Sequence, residues 1–237
     1  MKLDRFLTKH DTLGGKTARR LLLEKRVCVD GHLVTDGTLE VDRFSRIELD
    51  AEVIQEPLRA LYLMLHKPVG YLSATKDDTH PTILNLIDDP DKHTLHIAGR
   101  LDRNTSGLVL LTNDGRWSKR LMAPHQKVPK VYLVETQEPI APEAVTAFAE
   151  GFYFHTEDLT TLPAELVIFD DRRARLTLHE GRYHQVKRMF HRVQNRVLSL
   201  HRESIGGIKL PEDLQAGQWR PLTEVEKHAC EPVDNTD

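Results

Sequence analysis

The chain has 237 residues, of which 39% are hydrophobic and 29% charged, and a formal net charge of −3. These values describe an ordinary globular protein, long enough for one large or two unequal domains with a sizeable core. Its two cysteines, Cys28 and Cys230, are far apart and lack metal-ligand spacing, which argues against a disulfide framework and a zinc site and fits a reducing compartment. The N-terminus has no basic segment leading into an apolar one, and no 18-residue apolar run occurs. A cytoplasmic protein is expected, neither exported nor membrane-spanning.

The charge is unevenly spread. Eight Lys/Arg face three acids between Lys2 and Arg26, and six Lys/Arg fall between Gly181 and Arg202, whereas the tail from Pro211 is acidic. Two basic regions on a near-neutral chain suit a protein that holds RNA at a defined place.

In chain order, Leu3, Phe6 and Leu7, then Ala18, Leu21 and Leu22, fall at i, i+3, i+4 and predict two short amphipathic helices separated by Gly14-Gly15. Val27–Val34 alternates around Asp30-Gly31 and predicts a hairpin. Lys16, Arg19, Arg20 and Arg26 fall on the polar side or at the end of the second helix, a cationic face suited to phosphates, and Arg5 adds to the same basic region. The acidic stretch Asp50–Pro57 is the expected linker, giving domains over residues 1–55 and 60–230.

Beyond it, Leu61–Leu65 predicts a buried strand that ends in the turn His66-Lys-Pro-Val-Gly70. Leu95–Leu101 predicts another strand. Asp102 follows, flanked by Arg100 and Arg103, with a tight turn at Thr105, Ser106 and Gly107 before the apolar run Leu108–Leu111. An Asp in such a turn often only accepts backbone hydrogen bonds, and spacing alone does not decide otherwise. A basic helix is expected over Trp117–Met122, and a strand over Lys130–Val134 with Tyr132 facing away from Val131 and Leu133. The segment Glu180–Arg192 opens on a glycine turn and continues as a helix with the stripe Val186, Met189, Phe190 and Val193. Arg188 and Arg192 then point toward solvent or a polyanion, and Lys187 lies at the border, where a cation can reach a partly buried carboxylate. The thirteen histidines show no His-x-x-x-His pair beside an acid, so no metal is expected; His184, His191 and His201 are placed along an RNA-facing surface.

The segment GRLDRNTSGLVLLTNDG, Gly99–Gly115, resembles the signature of the RsuA-type rRNA pseudouridine synthases. Lys16-Thr-Ala-Arg19-Arg20 with Arg26-Val-Cys-Val-Asp-Gly31 resembles the S4 RNA-binding domain. His66-Lys-Pro-Val-Gly70 is similar to the family's first motif but carries His66 where asparagine is usual. The closing segment Leu198–Gly207 also looks like the family.

The resemblance implies an α+β fold: a small S4-like domain with two helices and a hairpin, then a mixed, mainly antiparallel sheet divided by a central cleft. It makes Asp102 the catalytic carboxylate, sets Tyr132 against the target uracil, and gives Lys187 the ion pair with Asp102, with Arg182 and Arg188 as fallbacks. Arg5, Lys16, Arg19, Arg20, Arg26, Arg100, Arg103, Arg182, Arg188 and Arg192 are the expected RNA contacts. The implied reaction converts a uridine of 16S rRNA, uridine 516, to pseudouridine. It needs no redox step and no cofactor, in keeping with the missing Walker loop and dinucleotide fingerprint. The implied partner is 16S rRNA or a small-subunit assembly intermediate, met by a monomer. A related synthase acting on 23S rRNA and a non-catalytic ribosome-assembly factor are the competing readings.

Overall fold

The computed structural model describes residues 1–10 and 15–229, so Gly14 and Cys230 lie outside the described residues. The chain divides into two compact units between Ala60 and Leu61.

The first unit contains α1 (Leu3–Lys9), α2 (Gly15–Leu23), β1 (Val27–Val29), β2 (His32–Leu33), β3 (Ile47–Leu49) and β4 (Glu52–Gln55). Its strands pair antiparallel in the order β2-β1-β3-β4. The predicted stripes of both helices, from Leu3 and Leu7 to Ala18, Leu21 and Leu22, share a core with Val27, Val29, Val41 and Ile47. Asp30 and Gly31 turn the first hairpin with φ of 51° and 80°, the left-handed pair that a two-residue hairpin loop uses. The expected linker is not one. Asp50 and Ala51 turn β3 into β4, Ile54 packs against the unit's core, and the Gln55 side-chain amide donates to the carbonyls of Asp42 and Ser45. The acids of this stretch sit at an exposed turn and strand end, so their polarity marks a surface hairpin rather than a break between domains.

The second unit begins with β5 (Tyr62–Lys67), which runs past the expected apolar stretch and carries Lys67 into the interior. It continues through β6 (His96–Ala98), β7 (Ser106–Thr112), α3 (Gly115–Met122), β8 (Lys130–Thr136), α4 (Glu143–Glu150), β9 (Tyr153–Phe154), β10 (Leu159–Thr160), β11 (Glu165–Asp170) and β12 (Arg173–Leu178). α5 (Gln185–Arg192), β13 (Val197–Ile205), β14 (Ile208–Lys209), β15 (Trp219–Pro221) and α6 (Glu224–His228) close it. β6 is shorter than the expected Leu95–Leu101 strand because Gly99, at φ 92°, turns the chain out of the sheet. Ser106 and Gly107 belong to β7 rather than to the turn before it.

Among the described residues one nine-stranded sheet has the order β11-β12-β8-β13-β7-β5-β15, with β6 on β7 and β14 on β13. Side chains alternate across β5 and β7. Leu63, Leu65, Val109 and Leu111 enter one core with α4 and α5, while Met64, Leu108 and Leu110 enter a second with Trp117 and Leu121 of α3. Covering both faces is why these strands read as unbroken apolar runs. All pairings in this sheet are antiparallel except β7 with β13, which is parallel and spans only His201↔Ser106 and Arg202↔Gly107. The sheet is therefore two halves joined by a short seam, and the Asp102 loop leaves β6 to enter β7 at that seam.

Gly107 makes the seam possible. Its φ is 110°, and a Cβ there would lie 2.3 Å from the Arg202 carbonyl oxygen. Gly107→Ala is expected to lose about 2–4 kcal/mol of stability, read as a lower denaturant midpoint in equilibrium unfolding. An unchanged midpoint would show that the seam tolerates a side chain.

Candidate active site

Asp102 stands on a loop held from both sides by buried cations. Arg202 of β13 is 1% exposed and donates to the carbonyls of Gly99 at 2.7 Å, Leu108 at 2.8 Å and Arg100 at 3.4 Å. Lys67 at the end of β5 is 0% exposed and donates to Thr105 at 2.8 Å, Pro68 at 3.0 Å and Arg103 at 3.3 Å, all through backbone carbonyls. Ser73 adds a reciprocal pair, its hydroxyl donating to the Leu101 carbonyl and accepting from the Leu101 N–H. The Thr105 N–H closes the turn on the Asp102 carbonyl at 3.1 Å. Hydrogen bonds from a charged donor are worth about 1.5–3 kcal/mol each, so moving this loop would forfeit several at once.

The Asp102 side chain is half-buried and meets a lysine on α5 and a histidine at its start. Lys187 Nζ lies 3.1 Å from Oδ2, and His184 Nε2 lies 3.4 Å from Oδ1. Lys187 is the cation that reaches the carboxylate; Arg182 and Arg188 do not. His184 caps α5 in the left-handed conformation, φ 49° and ψ 31°, and this turn brings its ring back over the carboxylate. Gln185 fixes the entry to the helix by accepting from the Arg182 N–H and donating to Glu180. Asp102, Thr105, Tyr132, His184, Gln185 and Lys187 line one small pocket, which shares walls with a wider cleft of about 680 Å³. Tyr132 is buried on β8, facing away from Val131 and Leu133 as its strand position predicts. Thr105 Oγ1 is buried with no hydrogen-bond partner among the described residues.

The arginines around this pocket are placed differently from their sequence reading. Arg188 does not reach into solvent: its guanidinium lies over the Phe154 ring, 3.6 Å from the centroid, and donates to Glu157, Thr156 and the Tyr183 carbonyl. Glu157 and Phe154 belong to the β9–β10 hairpin, whose approach to α5 no helical wheel contains. Arg182 bonds Glu180 at 2.8 Å and lies 3.5 Å from Glu157, and Arg192 donates to the Tyr153 carbonyl. The Arg188 guanidinium holds the Glu157 carboxyl below the usual carboxylate range. Arg100 is exposed at the pocket, and Arg103 donates to the Gly70 carbonyl. In the first unit Arg5, Lys16, Arg19 and Arg20 are exposed, with Arg20 3.6 Å from Glu24, while Arg26 is bound by Asp50 and Glu24.

Sequence reasoning missed Lys67, Arg202 and the contact of His184 with Asp102. Arg202 carried a readable signal, because it alternates with the buried Leu200 and Ser204 on one face of β13. His66 donates from Nδ1 to the Leu214 carbonyl and rests edge-on against His201, which bonds Ser106. Burial and the neighbouring His66 lower the affinity of His201 for a proton.

Residues 61–192 match the family described as RNA pseudouridylate synthase. The chain belongs to the pseudouridine synthase family. It is 54% identical over 226 residues to ribosomal small subunit pseudouridine synthase A of Pseudomonas aeruginosa, covering 95% of this chain and 98% of that one. It is 43% identical to the Escherichia coli K12 protein of the same name, with the same coverage of both. Among solved structures, a pseudouridylate synthase crystal structure superposes with a TM-score of 0.71 at 39% identity, covering 97% of this chain and 99% of that one. This pseudouridine synthase is thus an isomerase, with the mixed α/β architecture of its structural relative.

Burial lowers the Lys67 ammonium to about 8; the charge of Asp102 opposes that shift and the charge of Arg202 adds to it. An NMR titration of the Lys67 side chain should therefore show a midpoint near 8 that falls in Asp102→Asn. The folded value lies below the unfolded one, so the unfolded chain binds the extra proton between about pH 8 and 10.5. This lysine should make the fold more stable as pH rises through that window, by at most about 3 kcal/mol. A midpoint above 10 would mean that the ammonium is solvated and the clamp is open.

Proposed function

We propose that this enzyme isomerises a uridine of small-subunit ribosomal RNA, uridine 516 of 16S rRNA by the sequence resemblance, with Asp102 as the catalytic carboxylate. The observation that carries the reading is the Asp102 carboxylate, paired with Lys187 at 3.1 Å in a pocket that also holds Tyr132. The substrate follows from the relatives, which match over 95% of this chain and are named for the ribosomal small subunit.

The reaction breaks the N1–C1′ bond of uridine, turns the base and rejoins it through C5. Positive charge builds at C1′ as the glycosidic bond opens, and a carboxylate beside it stabilises that charge or attacks the carbon. Lys187 pairs with the carboxylate and holds it aimed at the sugar. The C5 proton then leaves to a base, for which Tyr132 and Asp102 itself are the two candidates within the pocket. The uridine must first leave its stack, so the substrate is a loop or an incompletely folded segment, either in 16S rRNA or in an assembling small subunit in the cytoplasm. The enzyme acts as a monomer in this scheme. Residues 1–55 act as an S4-like unit, with Arg5, Lys16, Arg19, Arg20 and Arg26 on RNA phosphates. Arg100, Arg103, Arg182, Arg188 and Arg192 hold the backbone around the flipped nucleotide.

Tritium release from 16S rRNA carrying C5-tritiated uridine tests the reaction. Wild type should release tritium, Asp102→Asn should be silent by at least about 10³-fold, and Lys187→Met should lose about 10–100-fold in kcat with little change in RNA affinity. Equal release by wild type and Asp102→Asn would remove the carboxylate from the mechanism. Silence of both, on free rRNA and on partly assembled subunits, would favour the assembly-factor reading. Removing Arg19 and Arg20 together should weaken RNA binding and lower the salt slope by about 1–2, measured by filter binding between 50 and 200 mM salt.

A further inference from the structure

Tyr183 is 76% exposed, an unusual state for an aromatic ring beside a pocket. Its ring stacks on that of His184, with centroids 3.9 Å apart and planes 20° from parallel. His184 is in turn 3.4 Å from the Asp102 carboxylate. The backbone of the pair is anchored: His184 is in the left-handed conformation, and the Tyr183 carbonyl accepts from Arg188. One face of the phenol is covered by the imidazole and the other is open. Tyr183 lines the wide cleft, and Asp102, Tyr132 and His184 line both that cleft and the small pocket.

We propose that Tyr183 is a specificity-determining residue: its open face stacks on the base next to the extruded uridine in the RNA strand. The inference rests on the Asp102 pocket being the uridine site. Extruding one nucleotide strips a stacking partner from each neighbour, and an aromatic ring at the mouth of the pocket replaces one of them. Tyr183 shares the wide cleft with Asp102 and Tyr132 but reaches the carboxylate only through the His184 ring, so its open face meets the neighbouring base rather than the target. The stack also links strand placement to chemistry. A base seated on Tyr183 presses on a ring that touches Asp102, so a correctly placed strand steadies the carboxylate.

The test is a cycle between protein and RNA. Synthetic fragments of small-subunit rRNA containing the target uridine carry an abasic residue on its 5′ side, on its 3′ side, or neither. Binding is measured for wild type, Tyr183→Ala and Tyr183→Phe, and tritium release for the same proteins and Asp102→Asn. Wild type should lose about tenfold in affinity on one of the two abasic fragments. Tyr183→Ala should lose about the same on intact RNA and nothing further on that abasic fragment, and Tyr183→Phe should match wild type. Additive losses on both abasic fragments, or intact-RNA binding by Tyr183→Ala equal to wild type, would overturn the stacking role while a silent Asp102→Asn left the proposed function standing. Release by Asp102→Asn equal to wild type, or no binding of any fragment by wild type, would overturn the uridine pocket and this inference with it.

Discussion

Two buried cations, Lys67 and Arg202, carry their charge on backbone carbonyls, and neither is in an ion pair among the described residues. A buried charge without compensation is strongly unfavourable, so these two side chains stay inside only while the carbonyls of residues 99–108 surround them. In return the cations satisfy those carbonyls, which lie on the β6–β7 loop and the start of β7. Loop and cations therefore fix each other, and the position of Asp102 is a consequence. The narrow β7–β13 seam belongs to this constraint, because Gly107 lets the Arg202 backbone come close enough for its side chain to turn under the loop.

Around that fixed carboxylate the remaining charges have separate duties. Lys187 and His184 meet Asp102 directly. Arg182 and Arg188 are gathered by Glu157 and Glu180, so the basic α5 region is largely neutralised in the free protein. Under the proposed function, RNA phosphates arriving here would exchange with carboxylates rather than meet bare arginines. The exposed Lys16 and Arg19 of the first unit have no ion pair among the described residues.

Much of the local structure was legible from pattern alone. The stripes of α1, α2 and α5, the Asp30-Gly31 turn, the buried β5 run and the inward face of Tyr132 follow from periodicities of 3.6 and 2 and from turn chemistry. The linker was misread because a polar hairpin at a surface and a break between domains share one composition. The strand before Asp102 was drawn too long because apolar residues continue to Leu101, and only the left-handed Gly99 reveals that Leu101 leaves the sheet to pack below the loop.

By itself the sequence determined the family, through a contiguous signature around Asp102, and the candidate pair Asp102 and Lys187, through matching motif positions. Tertiary structure alone decided which cation reaches the carboxylate, which arginines are taken by Glu157, and that Lys67 and Arg202 lie beneath the loop. These are meetings between residues far apart in the chain, such as Lys187 with Asp102 or Arg202 with Gly99. Periodicity reports which way a side chain faces on its own element, and the packing of other elements against that face settles what it meets.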